Sequence, residues 1–137
     1  REESETILHE VFLGKETTWA IESRENNLLI GTVGLITDPK RENTGLRMIG
    51  YWLDQPYWGR GFMREASAAA LDHAFRTLRM PAVTATCYPD NDRSHGLLLR
   101  LGFEPEGTLH MADKDRHGTL RDLLSFILTR EKFLSTH

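Results

Sequence analysis

The chain has 137 residues, 39% of them hydrophobic and 27% charged, with a formal net charge of -3 at pH 7. That length supports one hydrophobic core, so a single domain over 1–137 is expected, and no apolar run approaches the roughly 20 residues of a helical membrane span. A weakly acidic chain carries no basic footprint for nucleic acid and suits a cationic partner. Cys87 is the single cysteine and cannot close an internal disulfide, which accords with a reducing cytoplasm. The first residue is Arg1 and no signal-peptide pattern is visible, so a fragment or processed form is expected.

In chain order, Ile7, Leu8, Val11 and Phe12 mark one face of a short helix that Gly14 would end. Thr18 to Glu22 and Leu28 to Leu35 read as a strand pair around a Ser23 to Asn27 turn. The polar loop Thr37 to Gly45 leads into an apolar strand, Leu46 to Leu53. A helix is expected from about Gly61 to Arg79, with Ala66, Ala69, Ala70 and His73 on one side and Pro81 closing it. There follow a strand Ala82 to Tyr88, a Pro89-Asp90-Asn91-Asp92 turn and a helix Arg93 to Leu101 stopped by Gly102. Two strands near Thr108 to Asp113 and Leu120 to Leu128 come last. Hairpins first, then helices alternating with strands, give an α/β layered domain with a mixed sheet.

The most informative segment is Tyr57-Trp58-Gly59-Arg60-Gly61-Phe62-Met63-Arg64-Glu65-Ala66, where a strand meets a helix through a two-glycine turn. A helix N-terminus offers backbone N–H groups without intrahelical partners and the positive end of the macrodipole, so a phosphate can sit there, and glycine keeps side chains out of its way. Ordinary turn chemistry produces the same residues. A dinucleotide fold is disfavoured, since Gly59-Arg60-Gly61-Phe62-Met63-Arg64 has no third glycine and no Walker lysine follows. His9, His73, His95, His110, His117 and His137 are scattered without ligand spacing, so no metal is expected. Trp19, Trp52 and Trp58 read as core and cleft wall, and Cys87 as a buried small hydrophobe without a paired base.

Trp58-Gly59-Arg60-Gly61-Phe62-Met63, the Arg64-Glu65-Ala66 that follows, and Asn91-Asp92-Arg93-Ser94 with Leu101-Gly102-Phe103 together resemble the GNAT superfamily of acetyl-CoA-dependent N-acetyltransferases. Within it, the branch of ribosomal-protein N-terminal (alanine) acetyltransferases is most similar, and the resemblance runs from about Thr18 to Phe133. It implies a mixed, mostly antiparallel central sheet flanked by helices, with the family's upstream strand and helix missing from this sequence. It implies acetyl-CoA as acetyl donor, its pyrophosphate on Trp58, Gly59, Arg60, Gly61, Phe62 and Met63. The pantetheine would lie beside Tyr51, Trp52 and Leu53, and Asn91 would bind its amide-bearing arm. Many members place a tyrosine seven residues after the asparagine to protonate the leaving thiolate; here Leu98 stands there. The branch implies Ser94 for that role, next to the cofactor, and Asp113 as the base. The general family pattern begins the turn with Gln or Arg and ends it with Gly or Ala, where this chain has Trp58 and Met63; the branch tolerates both. Asp122 is expected to pin a hairpin, and Glu65 to serve the helix N-terminus.

The implied reaction is acetyl transfer to a primary amine, a protein or peptide N-terminal α-amine, by direct attack on the thioester. The alternatives are acetylation of a small amine (polyamine, amino acid or antibiotic) and a non-catalytic acyl-CoA-binding module. A homodimer is an allowed assembly.

Overall fold

The computed structural model describes residues 6–13 and 16–136. Its strands are β1 (Thr6–Leu13), β2 (Glu16–Ser23), β3 (Leu29–Thr37), β4 (Arg47–Leu53), β5 (Ala82–Cys87), β6 (Glu104–Lys114) and β7 (Leu120–Thr129). They form one seven-stranded sheet in the order β1-β2-β3-β4-β5-β7-β6. Helices α1 (Phe62–Asp72), α2 (Asp92–Leu101) and α3 (Arg130–Thr136) complete the domain. Every strand pair is antiparallel except β4–β5, so the sheet is mixed and mostly antiparallel, as the resemblance implies.

The hairpin of β2 and β3 turns through Ser23 to Leu28, where Asn27 takes the left-handed conformation (φ 60) and the Asn26 side chain accepts from the Leu28 N–H. Asparagine tolerates both demands. One expected element is corrected. Thr6 to Leu13 is a strand, not a helix: it pairs along its whole length with β2, from Thr6↔Ser23 to Leu13↔Glu16. The spacing of Ile7, Leu8, Val11 and Phe12 suits a helix, but the backbone of an eight-residue segment is satisfied better by a full antiparallel ladder than by a short helix, and β-branched Thr6, Ile7 and Val11 favour it. Gly14, expected to end that helix, lies outside the described residues.

Helix α1 buries Phe62, Met63, Ala66, Ser67, Ala70 and Leu71 against the sheet. Ala69, expected on that face, is exposed, because it lies about 60° round the helix from Ala66 and about 100° from Ala70, past the edge of the buried stripe. The helix widens into a π turn over His73–Thr77, where the Leu78 N–H bonds to the His73 carbonyl at 3.0 Å. That turn still drives Ala74 and Phe75 fully into the core, and Phe75 stacks on Phe133 of α3 with centroids 4.9 Å apart.

The feature that positions the site is the β4–β5 seam. Only Arg47↔Val83 and Met48↔Thr84 pair across it. Beyond them β4 stays on β3 as far as Gly31↔Leu53, and β5 stays on β7 as far as Cys87↔Leu124. The closed end of the seam is held by Asp38, fully buried, which accepts from Thr84 Oγ1 (2.6 Å) and pairs with Lys40 Nζ (2.9 Å) and Arg41 Nη1 (3.0 Å). Arg41 continues to Glu106 (2.7 Å), and Glu106 to Ser125 Oγ (2.7 Å). Burial by itself pushes the Asp38 carboxyl up, and the bonds from Thr84, Lys40 and Arg41 outweigh it, holding it well below the usual carboxylate range.

A carboxyl with a lowered folded-state pKa adds stability that is complete above its unfolded value, about 3.9, and is lost as pH falls toward the folded one. Urea midpoints of the wild type should therefore keep this contribution from pH 6 to about pH 4 and lose it as the pH is taken below about 4. Asp38→Asn should be less stable at pH 6 and show a shallower decline. Parallel curves for the two proteins would contradict the assignment.

Candidate active site

Where β4 and β5 separate, a cavity of about 730 Å³ opens. Met48, Gly50 and Tyr51 of β4 form one wall, Thr86 and Cys87 of β5 with Tyr88 another, and Asn91, just before α2, with Ser94 in its first turn closes the end. Leu109, His110, Ala112 and Asp113 of β6 and Leu123 of β7 line the far side. The inner edges of the two strands have no partner strand here, so polar backbone groups face the space.

Helix α2 is aimed by its cap. The Asn91 side chain accepts from the Ser94 N–H at 3.1 Å, the N-cap arrangement that satisfies an otherwise orphaned donor. Ser94 Oγ is thereby free for another partner, and it lies 2.5 Å from Tyr51 Oη. Ser94 is 8% exposed. Burial raises the Tyr51 phenol above its ordinary value, with the Ser94 bond opposing.

On the other side, β6 carries a bulge between Leu109 and Asp113, with Met111 at φ 50. Asp122 pins it, accepting from the Met111 N–H at 2.9 Å and facing His110 Nδ1 at 3.3 Å. The Met111 bond, seconded by His110, lowers the Asp122 carboxyl. Past the bulge, Asp113 turns into the cavity and accepts from the Tyr88 hydroxyl, whose pKa that bond raises. Arg121 lies over the Tyr88 ring at 4.1 Å. Asp115, two residues on, is spent on the loop: its carboxylate takes the His117 and Thr119 N–H groups at 2.9 and 3.0 Å.

The two-glycine turn follows the end of β4. Gly59 (φ 75) and Gly61 (φ 81) are left-handed, and a Cβ built on either meets nothing within 4 Å. Gly61 caps α1 without any side-chain hydrogen bond, so donors of the first turn face open space. Trp58 Nε1 donates to the Leu53 carbonyl at 2.8 Å, and the Arg93 guanidinium stacks on the Trp58 ring at 4.3 Å. That stack brings the starts of α1 and α2 together.

Residues 1–104 match the sequence profile of the acetyltransferase (GNAT) domain. The chain belongs to the GNAT acetyltransferase family. It is 32% identical over 120 residues to the uncharacterized N-acetyltransferase p20 of Bacillus licheniformis, which covers 88% of this chain and 66% of that protein. It is 44% identical over 59 residues to the ribosomal protein uS5 alanine N-acetyltransferase of Escherichia coli, covering 43% of this chain and 30% of that protein. The crystal structure of the ribosomal-protein-S5-alanine acetyltransferase from Vibrio fischeri aligns with a TM-score of 0.76 at 25% identity, over 86% of this chain and 63% of that one. The chain spans between half and two thirds of the length of curated relatives that it matches over most of its own residues.

Members of this family use acetyl-CoA as a substrate, and the residues present fit such a ligand. A Cβ on Gly59 or Gly61 would meet no protein atom within 4 Å, and β4 has no β5 partner beyond Met48, on the stretch where Gly50 and Tyr51 line the cavity. Of the residues the sequence points to, Tyr51, Asn91, Ser94 and Asp113 share the cavity, while Trp52, Leu53 and Trp58 to Met63 lie outside its lining. Phe62 and Met63 are core residues, 1% and 9% exposed, and offer a ligand only backbone. Trp52 is 60% exposed. Leu98 is fully buried and presents nothing to the cavity. Glu65 accepts from the N–H and hydroxyl of Thr6, both at 3.1 Å, tying α1 to β1. Sequence reasoning passed over three groups: the Tyr51 side chain, Tyr88 and Arg93. An aromatic in an apolar strand reads as core, and nothing in the spacing shows that its hydroxyl meets a serine 43 residues away. Among the described residues no group of His, Cys, Asp or Glu is arranged to hold a metal ion, and no helix is long and apolar enough to cross a membrane.

Removing the α2 cap should be measurable without any ligand. Asn91→Ala should lower the unfolding free energy by about 1 kcal/mol, whereas Asn91→Asp, which keeps an acceptor, should cost much less. Equal losses in urea titrations of the two variants would show that the side chain does not cap the helix.

Proposed function

We propose that the domain transfers an acetyl group from acetyl-CoA to a primary amine by direct attack on the thioester, and that the amine is the N-terminal α-amine of a protein or peptide. The observation that carries this reading is the single cavity with a hydroxyl pair, Tyr51 and Ser94, on one wall and a carboxylate, Asp113, on another. An amine attacking a thioester needs a proton acceptor on its own side and a hydrogen-bond donor beside the departing sulfur. Asp113 Oδ2 takes the Tyr88 hydroxyl, which leaves Oδ1 to accept the amine's proton, directly or through water. Backbone N–H groups on the β4 edge would polarise the thioester carbonyl, and the donors before α1 would hold the pyrophosphate. Asn91 would meet the cofactor's amide-bearing arm.

An acyl-enzyme is disfavoured. Cys87 is the lone thiol, and its burial raises its pKa, which lowers the thiolate fraction that a nucleophile needs. A single cysteine, which cannot close an internal disulfide, is compatible with a cytoplasmic setting. The choice of an α-amine follows from the base. An α-amino group titrates near 7.7 and a lysine near 10.4, so at pH 7 their neutral fractions differ by roughly 500-fold, or ~3.7 kcal/mol. A carboxylate is a weak base and is better matched to the amine that is already partly neutral. Similarity to the E. coli uS5 alanine acetyltransferase supports the same class of acceptor.

Peptides that each offer one free α-amine and one lysine, incubated with the protein and acetyl-CoA, should gain a single acetyl group on the α-amine by mass spectrometry. Acetylation confined to lysine overturns the acceptor assignment. Rapid modification of polyamines or amino acids without peptide acetylation would replace it with a small-amine acceptor, and acetyl-CoA binding without turnover on any amine would leave only a binding module.

The pyrophosphate site has its own test. A Cβ on Gly61 meets only space that the ligand would fill, so Gly61→Ala should weaken CoA binding by calorimetry beyond the roughly 1–2 kcal/mol of stability that its left-handed backbone costs. Unchanged CoA affinity in the folded variant would remove this site.

A further inference from the structure

We infer that Tyr51 is a positioning residue for Ser94: its phenol donates to Ser94 Oγ and so directs the serine's own hydrogen at the sulfur that leaves when the thioester is cleaved. This rests on the acetyltransferase reading proposed above and gives the Tyr51 side chain a role that the resemblance does not imply.

The argument begins with a count of hydrogens. Two hydroxyls 2.5 Å apart share one hydrogen bond, which uses one of their two hydrogens and leaves one for a third partner. Asn91 already takes the Ser94 N–H, and the serine stands in the first turn of α2 with its oxygen turned away from that cap. Both side chains line the cavity. A phenol is a far stronger acid than an alkyl hydroxyl, so the favoured polarity has Tyr51 as donor and Ser94 as acceptor, and a hydroxyl that accepts such a bond becomes a better donor itself. The remaining hydrogen is then on Ser94, facing the cavity.

The chemistry this pair supports is a hydrogen bond, not a full proton transfer. When the amine nitrogen bonds to the carbonyl carbon and the carbon–sulfur bond breaks, sulfur takes the electron pair. A thiol of ordinary pKa, about 8.5, holds a proton less tightly than a tyrosine at its ordinary value near 10, and burial of Tyr51 widens that gap. The thiolate therefore departs as an anion steadied by Ser94, the amine's proton goes to the carboxylate or its water, and solvent protonates the thiol afterwards. Each hydroxyl keeps its hydrogen.

The test is the ionisation of CoA bound to the intact protein, followed through the ultraviolet absorbance of the thiolate, alongside kcat and KM for acetyl-CoA. Bound to the wild type, the thiol should titrate below its free value. Tyr51→Phe should raise that pKa by about one unit, a tenfold change in thiolate fraction, and lower kcat roughly tenfold with KM for acetyl-CoA unchanged. In a Ser94→Ala background the same substitution should change neither. Fluorotyrosine at position 51 keeps the ring and strengthens the donor, so it should lower the bound thiol's pKa; it serves where Tyr51→Phe fails to fold. If CoA binds and its thiol titrates identically in wild type and Tyr51→Phe, the inference is overturned while the acetyltransferase reading stands. If CoA does not bind to the wild type at all, both fall.

Discussion

The whole arrangement depends on a sheet that is continuous at one end of a seam and open at the other. Strands β4 and β5 share two residue pairs, and each is otherwise held by its outer neighbour, β3 or β7. The molecule is in effect two half-sheets joined at a hinge of two pairs. Separation exposes backbone donors and acceptors that a complete ladder would have consumed, and such groups are stable only if water or a ligand meets them. A ligand rich in amides threaded along the β4 edge would satisfy that demand, which is the physical ground for the pantetheine position in the proposed reading.

The geometry of the opening is set by ties at both of its ends. At the closed end the buried Asp38 joins the β3–β4 loop to Thr84 of β5, and Arg41 extends the tie to Glu106 of β6. At the open end Tyr51 of β4 meets Ser94 of α2, and Trp58 stacks under Arg93. The buried carboxylate is tolerable because four donors surround it, the Thr84 hydroxyl, the Lys40 N–H and ammonium and the Arg41 guanidinium; an unpaired charge in that position would cost several kcal/mol. The Asp38–Thr84 and Tyr51–Ser94 ties are not surface contacts of the kind that contributes little, since Asp38, Thr84 and Ser94 are all buried; Arg41–Glu106 and Trp58–Arg93 lie nearer the surface and add less.

How much of this was legible in the sequence follows from which forces act locally. The β2–β3 hairpin, the α1 helix with Ala66 and Ala70 on its buried side, the α2 helix with its Gly102 stop and the alternation of later strands are written in periodicity and turn chemistry, and they read correctly, Ala69 excepted. The first strand was not, because the spacing of Ile7, Leu8, Val11 and Phe12 fits a helix and only the presence of β2 alongside decides between them. Helix α3 went unread for the same reason: seven residues carry little period, and its place is fixed by Phe133 packing on Phe75. At the site, the resemblance implies Ser94 beside the cofactor, but nothing in the sequence shows that Asn91 caps the helix and that the serine's oxygen is turned to Tyr51. Phe62 and Met63 belong to a turn that resembles a ligand-binding motif, and their side chains serve the core. A motif names a backbone path; which of its side chains face the ligand is settled by the sheet beneath it.

The two groups best suited to the chemistry stand on opposite sides of the seam's open end. Ser94 is carried by α2, and its partner Tyr51 by the β1–β4 half-sheet; Asp113 stands on β6, across β7 from β5, and is steadied by Tyr88 within its own half. The distance between hydroxyl and carboxylate is therefore not a property of any one element. It depends on how α2 and β6 are set around β5, and Asp38, bonded to Thr84 of β5 and through Arg41 to Glu106 of β6, ties β5 and β6 to the β3–β4 loop at the closed end. A displacement of about 1 Å at reacting groups can cost on the order of a hundredfold in rate, so a buried carboxylate that touches neither group belongs to the site as much as the residues lining it.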